Sequence, residues 1–287
     1  MTELSLLPAA WVYGFAALFG LMCGSFFNVV IARLPKMMEL AWQRECQAQQ
    51  GNPVAASTGY NLAIPASHCP SCTTPIAAKD NIPLLSYLLL RGKCRHCAAP
   101  VSIRYPIIEL ASAALILASL AWFGLTLEAL AYTLLLWGLL ILSTIDLAHM
   151  LLPDQLTLPL LWLGLLGSIS ILPITPTQSI LGAIIGYGFL WSLFWVFKLL
   201  TGKEGLGYGD FKLLAALGAW LGWQQLPLVI LLASFTGAVL GIIMIIAGNK
   251  ERNMPIPFGP FLAFGGVLGL FWGEHLYQWY WQWAGLV

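Results

Sequence analysis

Apolar residues run from Leu7 to Ile31 without a charged position and stop at Arg33-Leu34-Pro35. A helix that crosses a bilayer needs about 20 such residues, so this stretch predicts a first span. The pattern then changes. Residues 34–104 are rich in Gln, Asn, Pro, Cys and charge and hold no long apolar run, which predicts one polar domain. After Tyr105-Pro106 the apolar runs resume: Ile107–Phe123, Leu127–Ile145, Leu156–Leu172, Ile180–Leu200, Phe211–Trp223, Leu226–Ala247 and Phe258–Trp281. Phe211–Trp223 is short for a full crossing. The expectation is an all-α polytopic membrane protein of about eight transmembrane helices. Residues 1–33 would form the first, 34–104 an inserted domain and 105–287 a seven-helix domain. No internal repeat is evident on this reading.

Composition agrees. The chain is 59% hydrophobic and 9% charged, with mean hydropathy +0.82 and 13 Trp; a soluble domain is nearer a quarter charged. No Lys or Arg precedes Arg33, so the first run reads as a permanent span rather than a signal peptide with a basic start. The net charge of +1 gives no bulk attraction for nucleic acid.

Charge adds an orientation. With eight alternating spans, one face carries residues 32–106, 146–155, 198–212 and 248–257. All 13 Lys and Arg lie in these stretches. Basic loops stay in the cytoplasm, so the polar domain is expected in the cytosol and both termini outside. A seven-span arrangement would split the basic residues between the faces.

The chain has four aspartates. Asp80 falls in the polar domain. Asp146, Asp154 and Asp210 all fall at the cytosolic membrane border. An ionisable group there is a functional candidate; an interfacial helix cap is the plain alternative, for Asp210 as for Asp154. Two carboxylates meeting in a partly dry site share a proton, because like charges that close do not both ionise. One then takes a proton from water while the other protonates a carbonyl, which is peptide hydrolysis without a metal. Asp210 follows glycines at 205, 207 and 209. Gly205, Gly207 and Gly209 are therefore candidates for backbone lying along an extended substrate. No Gly-x-Ser-x-Gly elbow occurs, and no phosphate loop completes the glycine run.

Cys69-Pro70-Ser71-Cys72 and Cys94-Arg95-His96-Cys97 are separated by 21 residues. Two such pairs at this spacing predict a four-thiolate zinc site, closed and hence structural. It would stabilise a cytosolic domain with little apolar core. His68 and His96 adjoin ligands but are surplus to four thiolates. Cys23 and Cys46 have no partner pattern.

Together these motifs resemble a known family. Gly205-Leu206-Gly207-Tyr208-Gly209-Asp210-Phe211-Lys212 and the run to Gly222 resemble the signature of the type IV prepilin peptidases, among the Gly-x-Gly-Asp intramembrane aspartyl proteases. Gly24-Ser25-Phe26-Phe27-Asn28 through Arg33-Leu34-Pro35, Ile145-Asp146-Leu147 through Pro153-Asp154, and Pro257-Phe258-Gly259-Pro260 resemble its other motifs in order. The resemblance implies removal of the basic leader of prepilins and type II secretion pseudopilins, after a glycine, at the cytosolic face of the bacterial inner membrane. It implies Asp146 and Asp210 as the catalytic pair and Asp154 as a cap. The four cysteines imply a second activity, N-methylation of the new N-terminal residue with S-adenosylmethionine. Glu39, Glu45, Asp80 and Glu109 are carboxylates near that chemistry, none assigned, and no cofactor-binding residue is identified. Glu204, Asp80 and Glu39 are candidates for attracting the basic leader. The runner-up reading is an ion-coupled transporter using Asp146 and Asp210; such sites lie near the midplane, often between repeats.

Overall fold

The computed structural model describes residues 8–50, 59–203, 205–247 and 256–285. Among them there is no β-strand, only two isolated bridges. The chain forms two compact units, 1–126 and 127–287; the sequence-based division falls at 104/105.

Unit 1 begins with α1, Ala9–Gln49, 41 residues long. At 1.5 Å per residue it reaches about 61 Å, about twice a bilayer's hydrocarbon core of about 30 Å. The expected stop at Pro35 does not occur: Pro35 is buried inside the continuing helix. The first part of the polar segment is thus a helical extension. It is followed by a 3-10 turn Ala78–Asp80, a five-residue helix α2, Leu85–Leu89, and α3, Arg104–Phe123. Polar groups stitch α1 to α3. Ser112 Oγ donates to Gly20 O at 2.8 Å, and Asn28 Nδ2 donates to Tyr105 O at 3.1 Å.

Unit 2 comprises α4 Leu127–His149, α5 Asp154–Gly167, α6 Pro176–Thr201, α7 Tyr208–Leu221, α8 Leu226–Ile246 and α9 Gly259–Trp283. Among the described residues, five helices are long and apolar enough to cross a membrane: α1, α3, α4, α6 and the stretch Trp223–Ile246 that contains α8. Helix α9 has 25 residues, but its second half carries Glu274, His275, Gln278 and Gln282. Helices α5 and α7 have 14 residues each, about 21 Å, short of a full crossing.

The short α7 is the centre of unit 2. Every residue from Leu213 to Leu221 is buried, as are Asp210 and Phe211. A helix apolar all round belongs inside a bundle, and α5, α6 and α9 surround it. Trp220 Nε1 donates to Leu160 O of α5 at 2.8 Å, and Ser179 Oγ of α6 donates to Ala219 O at 2.6 Å. Helices α6 and α7 touch backbone to backbone at Gly182 and Gly218, where a Cβ on either would collide with the carbonyl of the other. Gly218→Ala is therefore expected to lower stability by about 1–3 kcal/mol through overpacking. A thermal midpoint of the detergent-solubilised variant equal to that of the parent would contradict this contact.

Candidate functional site

One end of unit 2 gathers the last turn of α4 and the first turns of α5, α7 and α9. Asp146, in the last turn of α4, is 5% exposed, and its Oδ2 accepts the Gly259 N–H at 3.0 Å. Asp210, in the first turn of α7, is 7% exposed, and its Oδ2 accepts the Gly207 N–H at 3.2 Å. Each aspartate thus takes one backbone donor at the start of a helix, where N–H groups lack partners and the dipole favours an anion. Among the described residues, the other oxygen of each carries no hydrogen bond. Leu152, in the α4–α5 connection, lies beside both: a Cβ on Gly209 would meet Leu152 Cβ at 2.7 Å, and one on Gly259 would meet Leu152 Cδ2 at 3.1 Å.

The cap expectations need correcting. The N-cap of α7 is Gly207, with φ −83 and ψ 145, and Asp210 stands three residues inside it. Asp154 opens α5 but makes no side-chain cap bond. Both its oxygens instead accept from Lys212 Nζ at 2.7 Å, in a half-exposed pair tying the start of α5 to α7. Such a pair contributes about 1 kcal/mol at most.

The glycine run has local packing reasons as well. A Cβ on Gly205 would meet the Phe197 ring at 2.8 Å, and Gly209 packs on Leu152. Gly207 is exposed beside the Asp210 side chain. Tyr208, unexplained by sequence, opens α7 with its ring 5.3 Å from Phe194 and 5.4 Å from Phe211, an aromatic anchor for the turn that carries Asp210. Glu204 lies outside the described residues.

In unit 1, Cys69, Cys72, Cys94 and Cys97 come together, all four sulfurs within 4.8 Å of one another. Tetrahedral zinc with Zn–S of about 2.3 Å needs sulfurs about 3.8 Å apart. Cys69 Sγ and Cys97 Sγ are 3.8 Å apart. The donor set therefore fits a metal ion. His68 stands outside it, its Nδ1 3.1 Å from Ala66 O.

The two cysteine pairs also reveal a repeat that the reading of spans passed over. In the first, Cys69 N–H donates to Thr74 O at 3.0 Å, Thr73 N–H to Cys69 O at 2.9 Å and Ile76 N–H to Ser67 O at 2.8 Å. In the second, Cys94 N–H donates to Ala99 O at 2.9 Å, Ala98 N–H to Cys94 O at 3.0 Å and Val101 N–H to Gly92 O at 2.8 Å. Thr73 and Ala98 both have φ 55. Each contact recurs 25 residues on, between Cys-Pro-Ser-Cys-Thr-Thr-Pro-Ile and Cys-Arg-His-Cys-Ala-Ala-Pro-Val.

Of the carboxylates near the cysteine segment, Glu39 and Glu45 are exposed on α1. Asp80 is engaged by Arg95, whose Nη2 donates to Oδ1 at 2.6 Å and whose guanidinium holds Asp80 below the usual carboxylate range. Glu109 alone of the four is buried.

Comparison with known proteins agrees with both halves. Residues 18–123 match the Bacterial Peptidase A24 N-terminal domain, and residues 133–242 match the Type IV leader peptidase family. A prepilin leader peptidase/N-methyltransferase of Pseudomonas aeruginosa is 54% identical over 270 residues, 93% of each chain. One from Aeromonas hydrophila is 53% identical over 94% of each chain. One from Burkholderia pseudomallei is 49% identical over 94% of this chain and 89% of its own. No solved structure matches. With relatives of this similarity spanning nearly its whole length, the chain belongs to the type IV leader peptidase family.

Proposed function

We propose that this chain removes the leader of type IV prepilins and type II secretion pseudopilins with Asp146 and Asp210, at the cytosolic face of the bacterial inner membrane, and then methylates the new N-terminus with S-adenosylmethionine. One observation carries the hydrolytic half: two buried carboxylates at one end of unit 2, each holding one backbone N–H and keeping an oxygen for water or substrate. One carboxylate takes a proton from water, whose oxygen attacks the scissile carbonyl. The other protonates that carbonyl oxygen; the first, now holding the proton from water, then passes it to the leaving amine, while the second takes its proton back as the carbonyl re-forms. Asp146 lies between the end of α4 and the start of α9, whose dipoles oppose each other there. Asp210 has the start of α7 alone. On that difference Asp210 is the base and Asp146 the acid, within a pair that titrates as a unit. The exposed Gly207 and its neighbours Gly205 and Gly209 offer backbone along which an extended substrate can run.

Gly259 positions Asp146. A Cβ there would stand 2.6 Å from Asp146 Oδ2. Gly259→Ala is expected to slow cleavage about 100-fold by displacing that carboxylate. An unchanged rate would remove Gly259 from the account.

Four thiolates form a closed set with no open position, so the metal is read as structural zinc held by Cys69, Cys72, Cys94 and Cys97. S-adenosylmethionine, when bound, supplies an electrophilic methyl group to a deprotonated N-terminal amine. The decisive experiment sets hydrolysis against transport. Purified protein in detergent is expected to shorten a prepilin. Protein that leaves the prepilin intact yet moves protons in vesicles would reverse the reading.

A further inference from the structure

Unit 1 contains a cavity of about 510 Å³, within the 300–1,000 Å³ range of small-molecule sites. Residues of α1, α3 and the cysteine segment line it, among them Ser25, Arg33, Tyr60, Tyr87 and Glu109. Two of these are charges that the fold does not neutralise. Arg33 is 8% exposed. Its Nη1 donates to Asn61 O at 3.1 Å and Leu62 O at 3.2 Å, and its guanidinium stands 6.0 Å from the Tyr60 ring centroid. Among the described residues its Nε and Nη2 donate to nothing, and no carboxylate pairs with it. Glu109 is 7% exposed. Its Oε2 accepts the Leu84 N–H at 2.7 Å. No cation pairs with it among the described residues, Arg33 included.

A buried charge without a counter-charge is costly, and hydrogen bonds to neutral groups offset only part of that cost. Here one cation and one anion are left open on the same cavity without meeting each other. A single ligand that relieves both must carry an anion and a cation. A methionine-like end does so, with its carboxylate beside ammonium and sulfonium. The Tyr60 and Tyr87 rings add flat apolar surface suited to a nucleobase.

We infer that this cavity binds S-adenosylmethionine, with Arg33 on the carboxylate of its methionine end and Glu109 facing its positive charge. This rests on the transferase half of the proposed function and adds the residues that hold the donor.

The test measures binding of S-adenosylmethionine and of decarboxylated S-adenosylmethionine to the full chain in detergent. Arg33→Met is expected to weaken the parent cofactor about tenfold or more, the effect of one charge-assisted contact, and to leave the decarboxylated form unchanged. Glu109→Gln is expected to weaken both about tenfold. Prepilin cleavage, assigned to unit 2, and bound zinc report the folding of each variant. If Arg33→Met loses either, Glu109→Gln, which keeps size and acceptor, carries the test. Normal binding by both variants would overturn the assignment, as would an equal loss of both ligands in Arg33→Met. Displacement of the cofactor by phosphatidylethanolamine, whose headgroup carries the same two charges, would overturn it too. An unmodified protein that cleaves prepilin but binds neither ligand would refute the transferase reading itself, a result distinct from variants that bind normally.

Discussion

Asp146→Asn and Asp210→Asn each reduce prepilin cleavage by about 10⁴-fold or more, the scale of losing one member of a catalytic unit. Asparagine keeps the shape of aspartate, and its carbonyl oxygen still accepts the Gly259 or Gly207 N–H. The local fold is therefore retained, and what is lost is the ability to exchange a proton with water or substrate. Because the two carboxylates act together, the double variant is expected to be no slower than the worse single one. Asp154→Asn is the control. It removes a half-exposed ion pair with Lys212, so cleavage stays within about tenfold of the parent. Purified variants assayed side by side on one prepilin check all three. Substantial cleavage by Asp210→Asn, with cleavage abolished in Asp154→Asn, would show that the pair is misassigned.

Removal of the metal is the second large effect. The described part of 59–103 contains only the turn Ala78–Asp80 and the helix Leu85–Leu89 as regular structure. In small metal domains of this kind, binding of the ion is most of the folding free energy, about 10–16 kcal/mol in zinc-finger peptides. Cys94→Ser, or a strong chelator, is therefore expected to release zinc and disorder this segment. The cavity assigned to the methyl donor is built partly from it, so methylation is lost. The aspartates lie in the other unit, so cleavage continues. Acid works in the same direction, because protons compete with metal for the thiolates. Metal content, cleavage and methylation measured on one preparation check this. Methylation that survives complete loss of metal would contradict it.

Much of this was legible in the chain itself. The distribution of Lys and Arg and the ends of the apolar runs put Asp146, Asp154 and Asp210 at one border, and the family resemblance singled out Asp146 and Asp210, which in the fold both lie at one end of unit 2. The cysteine spacing announced a cluster that the fold brings together. Other features were hidden for physical reasons. Pro35 reads as a helix end, yet its surroundings carry the helix past it. The Gly259 N–H reaches Asp146 across 113 positions of chain, and a backbone donor leaves no trace in residue type. Lys212 looked like a flank of the signature, and only the packing of α5 against α7 shows that it holds Asp154. The repeated eight residues around each cysteine pair were visible, but a search at the length of whole spans is blind to them. Arg33 and Glu109 read as ordinary border charges until burial left both without an opposite charge among the described residues.

The most direct test is mass spectrometry of a prepilin incubated with the purified protein, with and without S-adenosylmethionine. The account predicts leader removal in both reactions and a methyl group on the new N-terminus only when the donor is present. An intact prepilin in both reactions would contradict it.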